Sequence, residues 1–325
     1  MHRRRFLAAS SSAFAAAALG EWRVLAQGRP FDGAQGKPAK PATKFEELRG
    51  GAGIFTGRGG TIGWLVTDEG AVVVDSQFPG TAEACVAGIK ERSRRGIHVL
   101  LNTHHHADHT AGNAIFRPAV KFIVAHANSA EWQRSAAAEA RTEAAQAYPD
   151  QTFPNVWQLK IGNQRVVATY YGFGHTSGDV AVAFDAANVV HMGDLVFNRF
   201  HPFIDRQAGA SIANWITLLD RVPREHAADT IYIFGHGKAG AGVTGGRADL
   251  ARFRDYLTAL LDYARKQMSA GKSRGDLAKL DTLPGFEEYV APAPPQVSLA
   301  HVLTGGCVTR LILLSRLRLD HGIHL

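Results

Sequence analysis

From about residue 50 the apolar residues fall into short, closely spaced runs rather than helical stripes. Gly53-Ile54-Phe55, Thr61-Ile62-Gly63-Trp64-Leu65-Val66 and Ala71-Val72-Val73-Val74 are rich in β-formers, and Thr67-Asp68-Glu69-Gly70 supplies a turn between the last two, so an antiparallel meander is predicted. The period then changes. Over residues 81–95 the apolar positions Ala82, Cys85, Val86 and Ile89 recur at helical spacing, and Gly96 is placed to stop a helix. Further strands are predicted over residues 98–101, 121–124, 156–161, 165–171, 179–184, 189–192 and 230–234. Between them, helical patterns cover a short piece at 110–116, an Ala-, Glu- and Arg-rich stretch within 125–148, and residues 210–219 and 251–269. Two groups of strands with helices between and after them bury most economically as two facing sheets with helices outside, an α/β architecture.

Composition adds limits. At 325 residues with 46% hydrophobic and 20% charged, the chain can bury a full core as one large domain or two smaller ones. Residues 1–26 hold four arginines against one glutamate, so removing them lowers the net charge from +7 to +4, a mild excess. No Lys/Arg block in the body is interleaved with aromatics, which argues against nucleic acid as a partner. Two distant cysteines, Cys85 and Cys307, exclude a disulfide framework and have no metal-ligand spacing. Arg3-Arg4-Arg5-Phe6-Leu7 ahead of a short Ala/Ser-rich apolar run resembles a twin-arginine export signal, so residues 1–26 are expected to be a removed address and the mature chain periplasmic or otherwise exported. Residues 27–48, with their Gly, Pro and Lys, read as a linker; a single domain is expected over 49–290, followed by a tail, 291–325, that suggests no function. No later segment is long and apolar enough to span a membrane.

The chemistry concentrates after the strand at 98–101. Asn102-Thr103-His104-His105-His106-Ala107-Asp108-His109 packs four histidines and a carboxylate into one loop, which points to a metal, since imidazole and carboxylate are the ordinary ligands of zinc and related ions. Three more candidates end strands elsewhere: His175 in a glycine-rich turn, Asp194 after His191-Met192-Gly193, and His236 between Gly235 and Gly237. Asp75 closes an apolar strand, where it either holds a ligand histidine or caps the strand end. Asn198, Arg199 and His201 follow Asp194 closely and are candidates to meet a substrate; exposed loop polarity explains them equally well.

These residues resemble the metallo-β-lactamase superfamily over about 50–270. The signature is His104-x-His106-x-Asp108-His109, followed in the family's order by Thr110-Ala111-Gly112-Asn113, Gly174-His175-Thr176-x-Gly178, Gly193-Asp194 and Gly235-His236-Gly237. The resemblance implies a four-layer αβ/βα sandwich with a binuclear centre at one edge, holding two Zn2+ ions or else iron or manganese. It further implies that His104, His106 and His175 bind one ion, that Asp108, His109 and His236 bind the second, and that Asp194 bridges both. His105 occupies a variable position and, by alternation, is expected to point away. The implied activity is hydrolysis of a small-molecule ester, thioester, lactone or amide by a hydroxide held between the ions, with Asp108 essential to catalysis. A carboxylate at Asp194, where several β-lactamases carry cysteine, is more typical of thioesterase and lactonase branches. Iron-dependent oxidoreductases such as persulfide dioxygenases share the pattern and stand as the alternative, with a non-catalytic metal-binding module behind it.

Overall fold

The computed structural model describes residues 42–277, 279–292, 299 and 302. The expected export segment, most of the expected linker and nearly all of the expected tail lie outside them, as does Cys307. Among the described residues no helix is long and apolar enough to cross a membrane.

Seven strands form the first sheet, in spatial order equal to chain order: β1 (Lys44–Arg49), β2 (Ala52–Thr56), β3 (Ile62–Thr67), β4 (Gly70–Val74), β5 (Ile97–Asn102), β6 (Val120–His126) and β7 (Gln151–Phe153). The meander β1 to β4 is antiparallel; β4 to β7 run parallel. Parallel neighbours need crossovers. They are α1 (Pro79–Arg92), then the short pair α2 (Ala107–Thr110) and α3 (Asn113–Phe116), then α4 (Ala127–Ala140). The second sheet has the order β15-β13-β11-β10-β9-β8, built from β8 (Val156–Ile161), β9 (Gln164–Tyr170), β10 (Val180–Phe184), β11 (Val189–His191), β13 (Ile231–Ile233) and β15 (Thr244–Gly245). A two-residue parallel pair, β12 (Phe197–Asn198) with β14 (His236–Gly237), sits apart from both. Helices α5 (Ile212–Glu225) and α6 (Arg247–Ser269) cover the second sheet, and α7 (Arg274–Leu277) follows.

Strand alternation produces the layers. On β4, Val72 and Val74 face the other sheet while Ala71 and Val73 face α1; on β10, Val180, Val182 and Phe184 face inward while Ala181 and Ala183 meet the α5/α6 layer. The expected four-layer αβ/βα sandwich is therefore the observed one.

Several boundaries differ from expectation for local reasons. Residues 44–48, expected in the linker, form β1, because Phe45 packs at 4.7 Å centroid distance on Phe55 and its ring fills the space beside Gly88. Helix α1 ends at Arg92, since Ser93 turns extended and its hydroxyl donates to Gly96 O. Helix α4 stops at Ala140 because Arg141 is left-handed (φ 56°). Beyond α7, Leu283, Phe286, Tyr289, Leu299 and Val302 join the cluster around α6, so two positions of the expected tail belong to the core.

The parallel strands also position the site. Their carboxyl ends share one edge of each sheet, and there lie Asp75 after β4, residues 103–109 after β5, Asp194 after β11 and His236 after β13.

Candidate metal centre

Four histidines of the edge cluster, His104, His106, His109 and His175, have one ring nitrogen held from behind, which leaves the other aimed inward. Asp75 Oδ2, an acceptor only, takes His109 Nδ1–H at 2.8 Å and the Thr103 hydroxyl at 2.8 Å. With its proton committed, the Thr103 oxygen accepts from His104 Nδ1–H at 3.1 Å. His175 Nδ1–H donates to Phe203 O at 2.7 Å, and His106 Nε2–H donates to Asp205 Oδ2 at 2.9 Å. The inward atoms are thus Nε2 of His104, His109 and His175 and Nδ1 of His106, a tautomer choice made by the partners behind.

Those atoms converge in two groups. His106 Nδ1 lies 3.1 Å from His104 Nε2 and 2.9 Å from His175 Nε2, and Asp194 Oδ2 stands 3.8 and 3.5 Å from the latter two nitrogens. On the other side, His236 Nε2 is 3.1 Å from Asp108 Oδ2 and 3.4 Å from His109 Nε2. Asp194 spans the gap: its Oδ1 faces His109 Nε2 at 3.0 Å and His236 Nε2 at 3.4 Å. That buried oxygen has no hydrogen-bond partner among the described residues, since both imidazoles approach it off hydrogen-bond geometry. Lone pairs facing lone pairs and an orphaned carboxylate oxygen suit a shared cation, and the two donor sets, His104/His106/His175/Asp194 and Asp108/His109/His236, each gather their ligand atoms within 4.8 Å.

Electrostatics separate the two groups. Burial drives His104 and His175 toward the neutral form, His175 to about 3, with the neighbouring charges of His109 and His106 respectively adding to it. Burial also opposes charge on His109 and His236, but Asp194 and Asp108 outweigh it and raise both. The same pairing holds Asp108 and Asp194 low against burial. The carboxylates of Asp108 and Asp194 thus favour positive charge at the His109/His236 side, as a cation there would supply. Access is one-sided: the His236 and Asp108 side chains are 26% and 23% exposed, whereas His104, His109 and His175 are fully buried.

Close backbone approach completes the cradle. A Cβ on Gly60 would sit 2.1 Å from His109 Cε1, and one on Gly235 would sit 2.0 Å from Asp194 Oδ1. Asp75 itself adopts φ 68°, an uncommon conformation for a non-glycine residue, held by its acceptance of Thr103 N–H at 2.7 Å and by its own N–H on Leu101 O.

Of the sequence-selected residues, the seven candidate ligands and Asp75 come together. The three substrate candidates are held in contacts of their own, Asn198 pairing with Gly237 beside His236. Asn198 is buried with its amide on Ala241 O and Gly242 O; Arg199 lies over the Tyr289 ring and 3.9 Å from Asp249 and from Glu288; His201 is buried with Nδ1 2.9 Å from the Tyr256 hydroxyl. Their polarity serves loop and helix packing, which their spacing after Asp194 could not reveal. His105, expected to point away, is buried against Trp132 with its ring beside His106 and Nε2 3.4 Å from Asp205 Oδ2, outside the two donor sets above but grouped with His106 and Asp205. Thr103, Phe203 and Asp205 were missed. Asp205 had one signal, being the single acidic residue between Asp194 and Asp220.

Comparison with known proteins agrees with this geometry. Residues 55–269 match the family model of the metallo-beta-lactamase superfamily. The metallo-beta-lactamase type 2 of Bacillus cereus is 25% identical over 191 residues, 58% of this chain and 72% of that protein. The 2,4-dinitroanisole O-demethylase subunit alpha of Nocardioides sp. (strain JS1661) is 26% identical over 132 residues, 40% of this chain and only 39% of its own length. Among solved structures, a metallo-beta-lactamase from Pontibacter korlensis shares the fold with a TM-score of 0.55 at 22% identity, over 67% of this chain and 99% of that one.

Proposed function

The chain belongs to the metallo-β-lactamase superfamily, and from that premise we propose that it is a dinuclear metallohydrolase, with zinc as the metal of choice, acting on a small-molecule ester, thioester, lactone or amide. The observation that carries this reading is Asp194: one buried carboxylate with Oδ2 toward His104 and His175 and Oδ1 toward His109 and His236, Oδ1 lacking a hydrogen-bond donor among the described residues. In this reading His104, His106 and His175 hold the first ion, Asp108, His109 and His236 the second, and Asp194 both. Bound divalent ions supply Lewis acidity and a deprotonated water at neutral pH.

The chain's own residues supply orientation and a dry wall. Asp75 fixes His109 directly and His104 through Thr103, while Phe197 stacks on His236 at 5.5 Å and, with Trp215, flanks His175. Substrate meets the centre on the Asp108/His236 side, where the side chains are exposed. A carboxylate rather than a thiolate in the bridging position favours ester, thioester and lactone substrates over the β-lactams named by the Bacillus relative. Residues 1–26 are proposed as a twin-arginine-type export signal, which makes the mature protein periplasmic; N-terminal sequencing of the exported form checks it.

The deciding experiment is metal analysis of the purified protein alongside a panel of cephalosporin, lactone, thioester and phosphodiester substrates, repeated on Asp108→Ala. Two zinc equivalents and turnover in the parent, both reduced in the variant, are expected. An unchanged rate in Asp108→Ala removes the mechanism. One iron per chain with oxygen consumed in the presence of a persulfide replaces it with the oxidoreductase reading.

A further inference from the structure

Behind the first donor set runs the segment between Arg199 and Ser211, and it touches two ligand histidines that come from different parts of the chain. Phe203 O takes His175 Nδ1–H, and Asp205 Oδ2 takes His106 Nε2–H. We propose that Asp205 is the positioning residue of the first ion: it fixes Nδ1 of His106 as the ligand atom and, through its charge, sets the affinity of that ion and not of the second. This inference rests on the dinuclear reading above.

The backing groups of the first donor set differ in charge. His104 is backed by the Thr103 hydroxyl and His175 by a peptide carbonyl, both neutral; His106 is backed by a full carboxylate at 2.9 Å. A carboxylate can only accept, so His106 presents Nε2–H to it and a lone pair on Nδ1 to the ion, and the negative charge makes that nitrogen the more basic donor. Asp75 does the same for His109 in the second set. Each ion thus has one imidazole backed directly by a carboxylate; Asp75 also reaches His104 through Thr103, whereas the Asp205 side chain meets His106, His105 and Ala208, so its effect falls on the first ion.

The carboxylate is held for this task. Oδ1 accepts Ala208 N–H at 2.9 Å, and Oδ2 also lies 3.4 Å from His105 Nε2, so both oxygens are engaged and the side chain is only 14% exposed. Backbone bonds then fix the segment to the one that carries His175: Ser177 N–H to Ala208 O at 2.8 Å, Ser211 N–H to Gly174 O at 2.9 Å, and Asp205 N–H to His175 O at 3.3 Å. Moving Asp205 would therefore move His175 as well. His105, a residue of the metal loop with no ligand role, finds its place as the second imidazole on this carboxylate, its ring lying against Trp132 at 5.9 Å.

The test is a chelator-competition titration of zinc into the metal-free full chain, resolving the two equivalents, for the parent, Asp205→Asn and Asp205→Ala. The amide oxygen of Asn can still accept from His106 but carries no charge, so the first equivalent should weaken by about 10-fold in Asp205→Asn and by up to about 100-fold in Asp205→Ala. The second equivalent should keep its affinity, and the cobalt-loaded variants should show an altered absorption band for the first ion alone. Parent affinity for both equivalents in the two variants overturns the inference. Equal weakening of both equivalents, with a lower melting temperature of the metal-free protein, overturns it too, because it marks a purely structural role. A parent that takes up no metal fails the dinuclear reading and this inference together, an outcome distinct from the other two.

Discussion

Asp75→Asn is the sharpest perturbation of the centre, because it changes one atom and leaves volume alone. The native carboxylate accepts three hydrogen bonds, from Thr103 N, Thr103 Oγ1 and His109 Nδ1, at 2.7, 2.8 and 2.8 Å. An amide has one acceptor oxygen and two donors, so it must choose. With its oxygen toward Thr103 Oγ1 and His109, its NH2 opposes the Thr103 N–H in a fully buried position, leaving a donor unsatisfied at a cost of about 1–3 kcal/mol. With the amide flipped, the NH2 donates to His109 Nδ1, which then must accept; His109 carries its proton on Nε2, pointing at the second ion's position. Either orientation harms the centre, and the second strikes His109 directly while reaching His104 only through the Thr103 hydroxyl. Urea unfolding of the metal-free protein reads the first cost as a loss of about 1–3 kcal/mol. Zinc titration reads the second as a 10- to 100-fold weaker second equivalent, in round numbers about 1.4–2.7 kcal/mol. A variant that matches the parent in both measurements refutes the orienting role of Asp75 and the tautomer argument built on it.

Two further outcomes follow from the same geometry. Gly60→Ala places a methyl 2.1 Å from His109 Cε1, and because Asp75 pins that ring, the Gly57–Gly60 turn must move; the second zinc equivalent should weaken while α5 and α6 keep their helical signal by circular dichroism, and an unaffected second equivalent contradicts the close packing. His126 caps α4 by accepting Asn128 N–H on Nδ1 at 3.2 Å while Nε2–H donates to Pro154 O, so the cap requires the neutral ring. Burial lowers its folded pKa below the ordinary 6.5, with the Pro154 carbonyl opposing; the stabilisation is therefore present above that value and lost as pH falls through it toward the lower folded pKa. A cap is worth about 1 kcal/mol, and urea unfolding at neutral and mildly acid pH should show the parent losing more than His126→Asn, whose amide caps at either pH; equal losses would count against the cap.

What could be read from sequence divides along the line between periodic and contact-made features. The sandwich was legible because strand alternation and helical spacing repeat along Val72, Val73 and Val74 or Ala82, Cys85 and Ile89, and each repeat reports its own face. The candidate ligands are legible because four histidines and an aspartate crowd residues 102–109 and His175 and His236 sit between glycine-rich strand ends. By contrast, β1 reads Lys-Phe-Glu-Glu-Leu-Arg, too charged to look like a strand, and becomes one because Phe45 packs on Phe55 and Arg49 donates to Ala187 O and Asn188 O. The backing groups were invisible for a related cause. Thr103, Phe203 and Asp205 act through a hydroxyl, a peptide carbonyl and a carboxylate on three segments, so no spacing connects them to the ring each one holds. The reading of Asn198, Arg199 and His201 as substrate contacts rests on sequence nearness alone. Nearness in sequence to Asp194 suggests nearness to substrate, whereas the side chains of these three residues are engaged with Ala241, Glu288 and Tyr256. A metal centre at the end of parallel strands thus announces its ligands in sequence while concealing the residues that choose which nitrogen each ligand offers. On the proposed dinuclear reading, variation behind the ligands, at Asp75 and Asp205 above all, is accordingly where affinity for each ion would change with the signature motif left intact.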